Sequence, residues 1–339
     1  MCVPDIVFST SRFPEHLRNH VWRDAISPLF EFTPVDGTQV EGRLWLSRVG
    51  ELLIGKSTLS AQRYERSRRL VLSSGLDLYI VSLFVSGGLV GDCDGVSVSV
   101  RAGDILVLDL SRVARMQVDP GSTATIFLPR QKIDKAIPGR DLHGAVLDAA
   151  IPIVRLLVSL INGMVDEAPA LAGEAAAATE ASLLALFADA VANRPSVNLE
   201  SDDSVVSRVL RRGVLDYIDA NLTSPELRPE LIIEKFRVSR AHLYRIFASD
   251  GGVASVIRDR RLDVAYRALV LGGGSLDQSI TRVAYELAFS GSNHFLRAFR
   301  ARFGITPSEA REYAPKFDLA GGGIEGLQSH FMNYLQRKG

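Results

Sequence analysis

The chain has 339 residues, 47% of them hydrophobic and 23% charged. This is the make-up of a folded protein of two or three domains, and it excludes a mostly disordered chain. Lys plus Arg and Asp plus Glu both number 39, a neutral balance that argues against a polyanion binder only if the charge is evenly spread. It is not. Residues 1–193 carry 18 basic and 22 acidic side chains, and residues 221–317 carry 15 and 10, so one module is neutral to acidic and the other suits a polyanion. The two cysteines, Cys2 and Cys93, exclude a disulfide framework or a four-cysteine zinc site and fit a reducing compartment. Met1 to Asp5 lacks a basic run followed by an apolar stretch, so a cytoplasmic protein without a signal peptide is expected. The apolar window 146–165 is interrupted by Asp148, Pro152 and Arg155 and reads as a buried helix, not a membrane span.

A short helix is expected around Glu15–Ala25. Short β-prone runs follow at Gln39–Leu46, Glu51–Ser57, Leu78–Ser86, Val96–Val100, Asp104–Asp109 and Thr123–Leu128. Turn residues punctuate them at Gly87-Gly88, Gly91 to Gly95, Ala102 to Asp104 and Asp119 to Gly121, the pattern of a small β-barrel or sandwich over about 40–128. From about 141 the texture is helical. Leu156, Leu157, Leu160, Ile161 and Met164 share helical spacing, and Leu183, Leu184, Phe187 and Val191 do so within Glu174–Ala192. An antiparallel hairpin connected through Pro169 and Gly173 is expected over 141–193. Residues 194–203 are polar and aperiodic, as in an interdomain linker. An all-α domain over 204–317 and a tail over 318–339 complete the order, with Gly272 to Gly274 as a hinge.

Two helix-turn-helix units can be read in the C-terminal part. In the first, Pro229 opens a helix whose apolar face is Ile232, Ile233 and Phe236. Arg237 to Ser239 makes the turn, with Ser239 as N-cap, and the next helix buries Leu243 and Phe247. That leaves Arg240, Ala241, Tyr244 and Arg245 outward, where a recognition helix meets base edges. In the second, Ile280, Val283, Ala284 and Leu287 form the support face, and Phe289 to Gly291 the turn. Phe295, Phe299 and Phe303 anchor the next helix, leaving Ser292, Asn293, His294, Leu296, Arg297 and Arg300 exposed. Asn suits adenine, and Arg suits guanine or phosphate. Between the units, Val253–Val270 reads as one amphipathic strut of roughly 25 Å at about 1.5 Å per residue.

On these residues the stretch 205–315 resembles the DNA-binding domain of AraC/XylS-type transcription regulators. Phe289, His294-Phe295, Arg297, Phe299, Phe303-Gly304 and Thr306-Pro307 carry the resemblance, with Arg261-Leu262 and Ala265 in the strut. Residues 40–128, with Arg101 to Asp109, resemble the cupin-like sensor domain of many members. The family usually has Gly where Arg237 and Ala288 stand, because a helix C-terminus often needs a positive φ, and a small residue where Ile233 stands. The resemblance implies an α+β multidomain protein: a cupin-like effector-sensing and dimerisation domain over 1–193, then an AraC-type DNA-binding domain. It implies a sequence-specific regulator, an activator by expectation, that binds double-stranded DNA and a small organic effector, forms a homodimer and has RNA polymerase as a candidate partner. No membrane partner, cofactor or enzymatic activity is expected.

The alternative is a cupin-like binding protein or enzyme whose helical half serves assembly. Cupin enzymes hold metals with clustered histidines, but the six histidines fall at 16, 20, 143, 242, 294 and 330, none within 40–128. His16 and His20, one helical turn apart, are the remaining metal candidates, and no metal site is expected. Arg212, Arg258 and Arg260 read as a solvated face. Trp45, Tyr64 and Tyr79 are candidate pocket aromatics, although the effector and its ligand residues cannot be named from the sequence.

Overall fold

The computed structural model describes residues 6–35, 37, 39–138, 140–192, 205–271 and 279–312. The expected linker, the Gly272–Gly274 hinge and the tail lie outside them. Two compact units divide between the last helix of the sheet-bearing half and the first helix beyond it.

The N-terminal unit runs β1 (Ile6–Ser9), α1 (Arg18–Ile26), β2 (Glu31–Pro34), β3 (Gly42–Val49), β4 (Leu52–Leu59), β5 (Gln62–Arg66), α2 (Arg68–Ser74) and β6 (Leu78–Ser86). It continues with β7 (Leu89–Cys93), β8 (Val96–Val100), β9 (Ile105–Asp109), β10 (Ala114–Val118), β11 (Gly121–Pro129), α3 (Arg130–Ala136), β12 (Ala145–Leu147), α4 (Pro152–Glu167) and α5 (Gly173–Ala192). One sheet has the order β1-β3-β4-β11-β6-β9-β12 and the other β2-β5-β10-β7-β8. The predicted barrel is thus built as two antiparallel sheets that share a core. Strand parity explains why. Leu53, Ile80, Leu106, Leu108 and Phe127 face the second sheet, and their neighbours Leu52, Ile54, Val81, Ile105, Val107 and Ile126 face the helices. A sheet covered on both faces needs continuous apolar runs, and β9, Ile-Leu-Val-Leu-Asp, is buried throughout.

All six predicted strands are present, Leu78–Ser86 and Val96–Val100 with the expected bounds and the other four with shifted ends. β1, β2, β5, β7, β10 and β12 add to them. Gly91 to Cys93, expected as turn, belongs to β7. A Cβ at Gly91 would lie 2.3 Å from the Arg115 carbonyl, so this glycine serves close strand approach. The turn is Asp94-Gly95 alone, with φ of 55° and 87°, the positive pair of a two-residue hairpin.

α4 and α5 pack on each other and on the sheet, burying Leu157, Ile161, Met164, Leu183 and Phe187. Leu156, expected in that stripe, is instead 58% exposed, because Leu157 takes the inward position. α5, and not the 146–165 window, is the described helix long and apolar enough to cross a membrane. Its Phe187 side chain is fully enclosed by the protein. Two buried polar groups fix one end of the sandwich. Arg66 donates to the carbonyls of Leu110 and Leu29, both at 2.7 Å, and to Ser74 Oγ. Burial lowers its pKa to about 9, against the opposing pull of Asp109. His143 Nδ1 accepts the Asp109 amide at 3.1 Å and Nε2 faces the Val113 carbonyl at 3.0 Å, so the neutral Nε2–H tautomer fits both partners. Burial lowers its pKa accordingly.

The C-terminal unit is helical: α6 (Val205–Ala220), α7 (Pro229–Phe236), α8 (Arg240–Ile246), α9 (Val253–Leu271), α10 (Ile280–Glu286), α11 (Ser292–Phe303) and α12 (Pro307–Glu312). α9 is the predicted strut, but it is not one-sided. Val253, Val256 and Ile257 join the core of α6, α7 and α8, and Tyr266 packs against Phe299 and Phe303 of α11. A helix between two units must be apolar on two faces.

Candidate nucleic-acid interface and internal cavity

Each helix-turn-helix unit turns on a residue in the left-handed region: Arg237 with φ 51° and Ala288 with φ 54°. Both turns carry the same pair of bonds. Val238 N–H donates to Ile233 O, and Arg237 N–H to Glu234 O. Phe289 N–H donates to Ala284 O, and Ala288 N–H to Tyr285 O. This is the Schellman arrangement, usually built on glycine. The sequence therefore departs from the usual glycine while keeping the geometry that glycine serves. Ile233, in place of a small residue, is accommodated half-buried at the rim of the first core, and Ala284 is buried.

The recognition helices are held from beneath. Leu243 and Phe247 are fully buried under α8, as are Phe295 and Phe299 under α11, with Phe303 at 4% exposure. Ser239 caps α8 by accepting from the His242 amide. α12 starts at a capping box, with Thr306 and Glu309 exchanging bonds. With the inner faces occupied, Arg240, Ala241, Tyr244 and Arg245 of α8 are exposed, as are Asn293, His294, Leu296, Arg297 and Arg300 of α11, with Ser292 half-buried. Three of the arginines rest on their own helices. Arg240 lies 5.5 Å from the Tyr244 ring centre, Arg245 Nη2 is 2.9 Å from His242 Nδ1 and Arg297 Nε is 3.3 Å from the Asn293 carbonyl. Arg258 and Arg260 pair with Asp259 and Asp219. The side chain of Arg212 lies outside the described residues.

How the two units are joined could not be read from the sequence. Arg261 of α9 donates to the carbonyls of Leu222 at 2.9 Å, Ser224 at 2.7 Å and, across the unit, Ala288 at 3.5 Å. Arg302 of α11 grips Asp263 at 2.7 Å and Asp259 at 2.6 Å on the strut. The signal for the second device was the pair of acids one turn apart at 259 and 263.

Between the two sheets lies a cavity of about 120 Å³. Tyr64 lines it, but the other two candidate aromatics do not occupy it. Trp45 has the opposite strand parity, and Tyr79 faces the helix side, where Arg130 Nη1 donates to its hydroxyl at 2.9 Å. His20 pairs with Asp24 at 3.3 Å, and among the described residues no three His, Cys, Asp or Glu side chains gather as a metal site.

Comparison with known proteins decides what this arrangement belongs to. A family model described as an AraC-binding-like domain matches residues 18–191, half of the chain. The chain belongs to the AraC family. A second model, a helix-turn-helix domain, matches residues 232–313. The crystal structure of the AraC-like transcriptional activator CuxR superposes with a TM-score of 0.52 at 26% identity, covering 78% of this chain and 96% of that one. The transcriptional activator RhrA of Rhizobium meliloti (strain 1021) is 30% identical over 98 residues, 29% of this chain and 31% of RhrA. An uncharacterized protein of the nit 5′ region in Bacillus sp. (strain OxB-1) is 23% identical over 234 residues, 67% of this chain and 90% of that protein. This AraC-family member is thus a DNA-binding transcription regulator with an N-terminal ligand-binding domain, in place of the assembly-only alternative.

Proposed function

We propose that this AraC-family protein reads operator DNA through α8 and α11 together. The observation that carries this reading is the exposure of the outward residues on both helices, while their apolar faces are locked onto one strut. α9 has 19 residues, about 28 Å at 1.5 Å per residue. That length is on the scale of the roughly 34 Å between successive major-groove faces. Arg240, Ala241, Tyr244 and Arg245 take one groove. Ser292, Asn293, His294, Leu296, Arg297 and Arg300 take the next, by base-edge and phosphate contacts.

In this reading the protein is a cytoplasmic activator without a membrane partner. It works by binding and not by catalysis. The exposed Leu156 with half-buried Ile153 and Leu160 on α4 supports a homodimer formed through the α4–α5 hairpin. RNA polymerase is the partner that activation requires. A ligand in the N-terminal domain shifts the balance between DNA-binding arrangements only to the extent that it binds one of them more tightly. Genome-wide mapping of binding sites, followed by gel shifts on the recovered operator, tests the reading. Arg297→Ala should weaken the specific complex without unfolding the protein. Affinity for the operator that does not fall as salt is raised would overturn it.

A further inference from the structure

The wall of the internal cavity is unusual for a sandwich core. β6 is buried at every position from Leu78 to Phe84 except Ser82, and β11 is buried from Thr123 to Leu128 except Thr125. Strand parity places Ser57, Ser82, Thr123 and Thr125 on the inner face, level with Leu53, Ile80 and Phe127. The register puts Ser57 opposite Thr123, and Thr125 opposite Ser82. The four hydroxyls form a chain: Ser57 to Thr123 at 2.7 Å, Thr123 to Thr125 at 3.5 Å and Thr125 to Ser82 at 3.1 Å. Three links consume three of the four hydroxyl protons, so one O–H and several lone pairs remain to face a guest. Apart from these hydroxyls, the Tyr64 hydroxyl and Lys56 at its border, the wall is apolar and rich in rings, among them Trp22, Phe30, Tyr64, Phe84 and Phe127. Burial raises the Tyr64 phenol far above its ordinary range, so it stays neutral.

The wall also says what is not accommodated. Lys56 borders the cavity, but its side chain has the opposite parity and pairs with Asp166 of α4 at 2.6 Å. A carboxylate guest would lose its hydration with no opposing charge to meet it. A sugar would bring more hydroxyls than this one short chain can satisfy. An engineered apolar cavity of about 150 Å³ holds benzene, so about 120 Å³ sets a guest of single-ring size.

We infer that the N-terminal cavity selects a neutral single-ring molecule bearing one hydroxyl or carbonyl oxygen, the class of simple phenols, aryl alcohols and aryl ketones, whose oxygen docks on the Ser57–Thr123–Thr125–Ser82 chain. This deepens the regulator reading above and rests on its ligand-binding half.

Calorimetric titration of the full-length protein tests it, with 4-ethylphenol, 4-ethylbenzoate, D-glucose and ethylbenzene as probes. 4-Ethylphenol should bind, and 4-ethylbenzoate and glucose should not at the same concentrations. Thr125→Val and Ser82→Ala, each checked for folding by circular dichroism, should weaken 4-ethylphenol by about two- to tenfold, one neutral hydrogen bond, and leave ethylbenzene unchanged. The assignment is overturned if 4-ethylphenol fails to bind, if 4-ethylbenzoate or glucose binds as tightly, or if both folded variants keep wild-type affinity. Gel shifts on operator DNA, run in parallel, separate the two readings. DNA binding that responds to 4-ethylbenzoate or glucose sinks the ligand class and spares the regulator. Loss of salt-sensitive operator binding sinks the regulator whatever the cavity holds.

Discussion

The two helix-turn-helix units share a turn geometry and differ in how firmly their recognition helices are seated. α8 has seven residues over Leu243 and Phe247, and α11 has twelve over three phenylalanines that pack on one another and on Tyr266. Only α11, of the two, is also clamped to the strut by an arginine with two acids. A helix held by more buried area and by ion pairs with little solvent around them has less freedom to lose on binding. On the proposed reading, the second unit serves as the anchor and the first as the adjustable reader.

The strongest way to break this contrast is Phe299→Ala. Emptying a fully buried aromatic site costs about 3–5 kcal/mol, and a thermal melt should show the second unit destabilised while Leu243 and Phe247 remain protected in hydrogen exchange. Asp263→Ala comes next. Asp263 is 3% exposed and Arg302 retains Asp259, so the loss should be about 2 kcal/mol, below the 3–5 kcal/mol of a fully buried broken pair. On DNA, Arg297→Ala should cost about 1–3 kcal/mol of operator affinity, one good base contact, and Arg245→Ala less. Equal losses would erase the distinction between anchor and reader. Ala288→Gly and Arg237→Gly should each add about 1 kcal/mol of stability, since a non-glycine residue in the left-handed region costs about 1–2 kcal/mol, measured as a rise in denaturant midpoint.

The smallest effect is one of pH. Backbone and side-chain hydrogen bonds from Thr306 lower the pKa of Glu309 below its ordinary 4.5. Its contribution is present above that ordinary value and is lost as pH falls through the lowered one. Melts of the second unit on the acid side of 4.5 should therefore lose a component that Glu309→Gln lacks throughout.

Much of the second unit was readable before any coordinates, because Phe295, Phe299 and Phe303 repeat at helical spacing and Phe289 to Pro307 carries a dense family pattern. Where each buried residue has a neighbour three or four positions away, local sequence suffices. β5 was not readable: Gln-Arg-Tyr-Glu-Arg has no apolar alternation, and its buried Gln62 accepts from Trp22 while its buried Arg66 donates to carbonyls, partners some 40 residues distant. β7 was hidden by Gly91 and Asp92, which imitate a turn. The cavity hydroxyls lie on three strands and become a group only through pairing register, which single-strand patterns do not contain.

Arg261 reaches carbonyls on both sides of the strut, Leu222 and Ser224 on one and Ala288 on the other, so one guanidinium ties the two helix-turn-helix units together. On the proposed reading, a protein braced in this way measures its operator as a ruler does. Inserting a single base pair between the two contacted stretches turns the farther groove by roughly 34°, given about 10.5 base pairs per turn. Exchanging Arg261 for Ala should make recognition more forgiving of such spacers while weakening the native one.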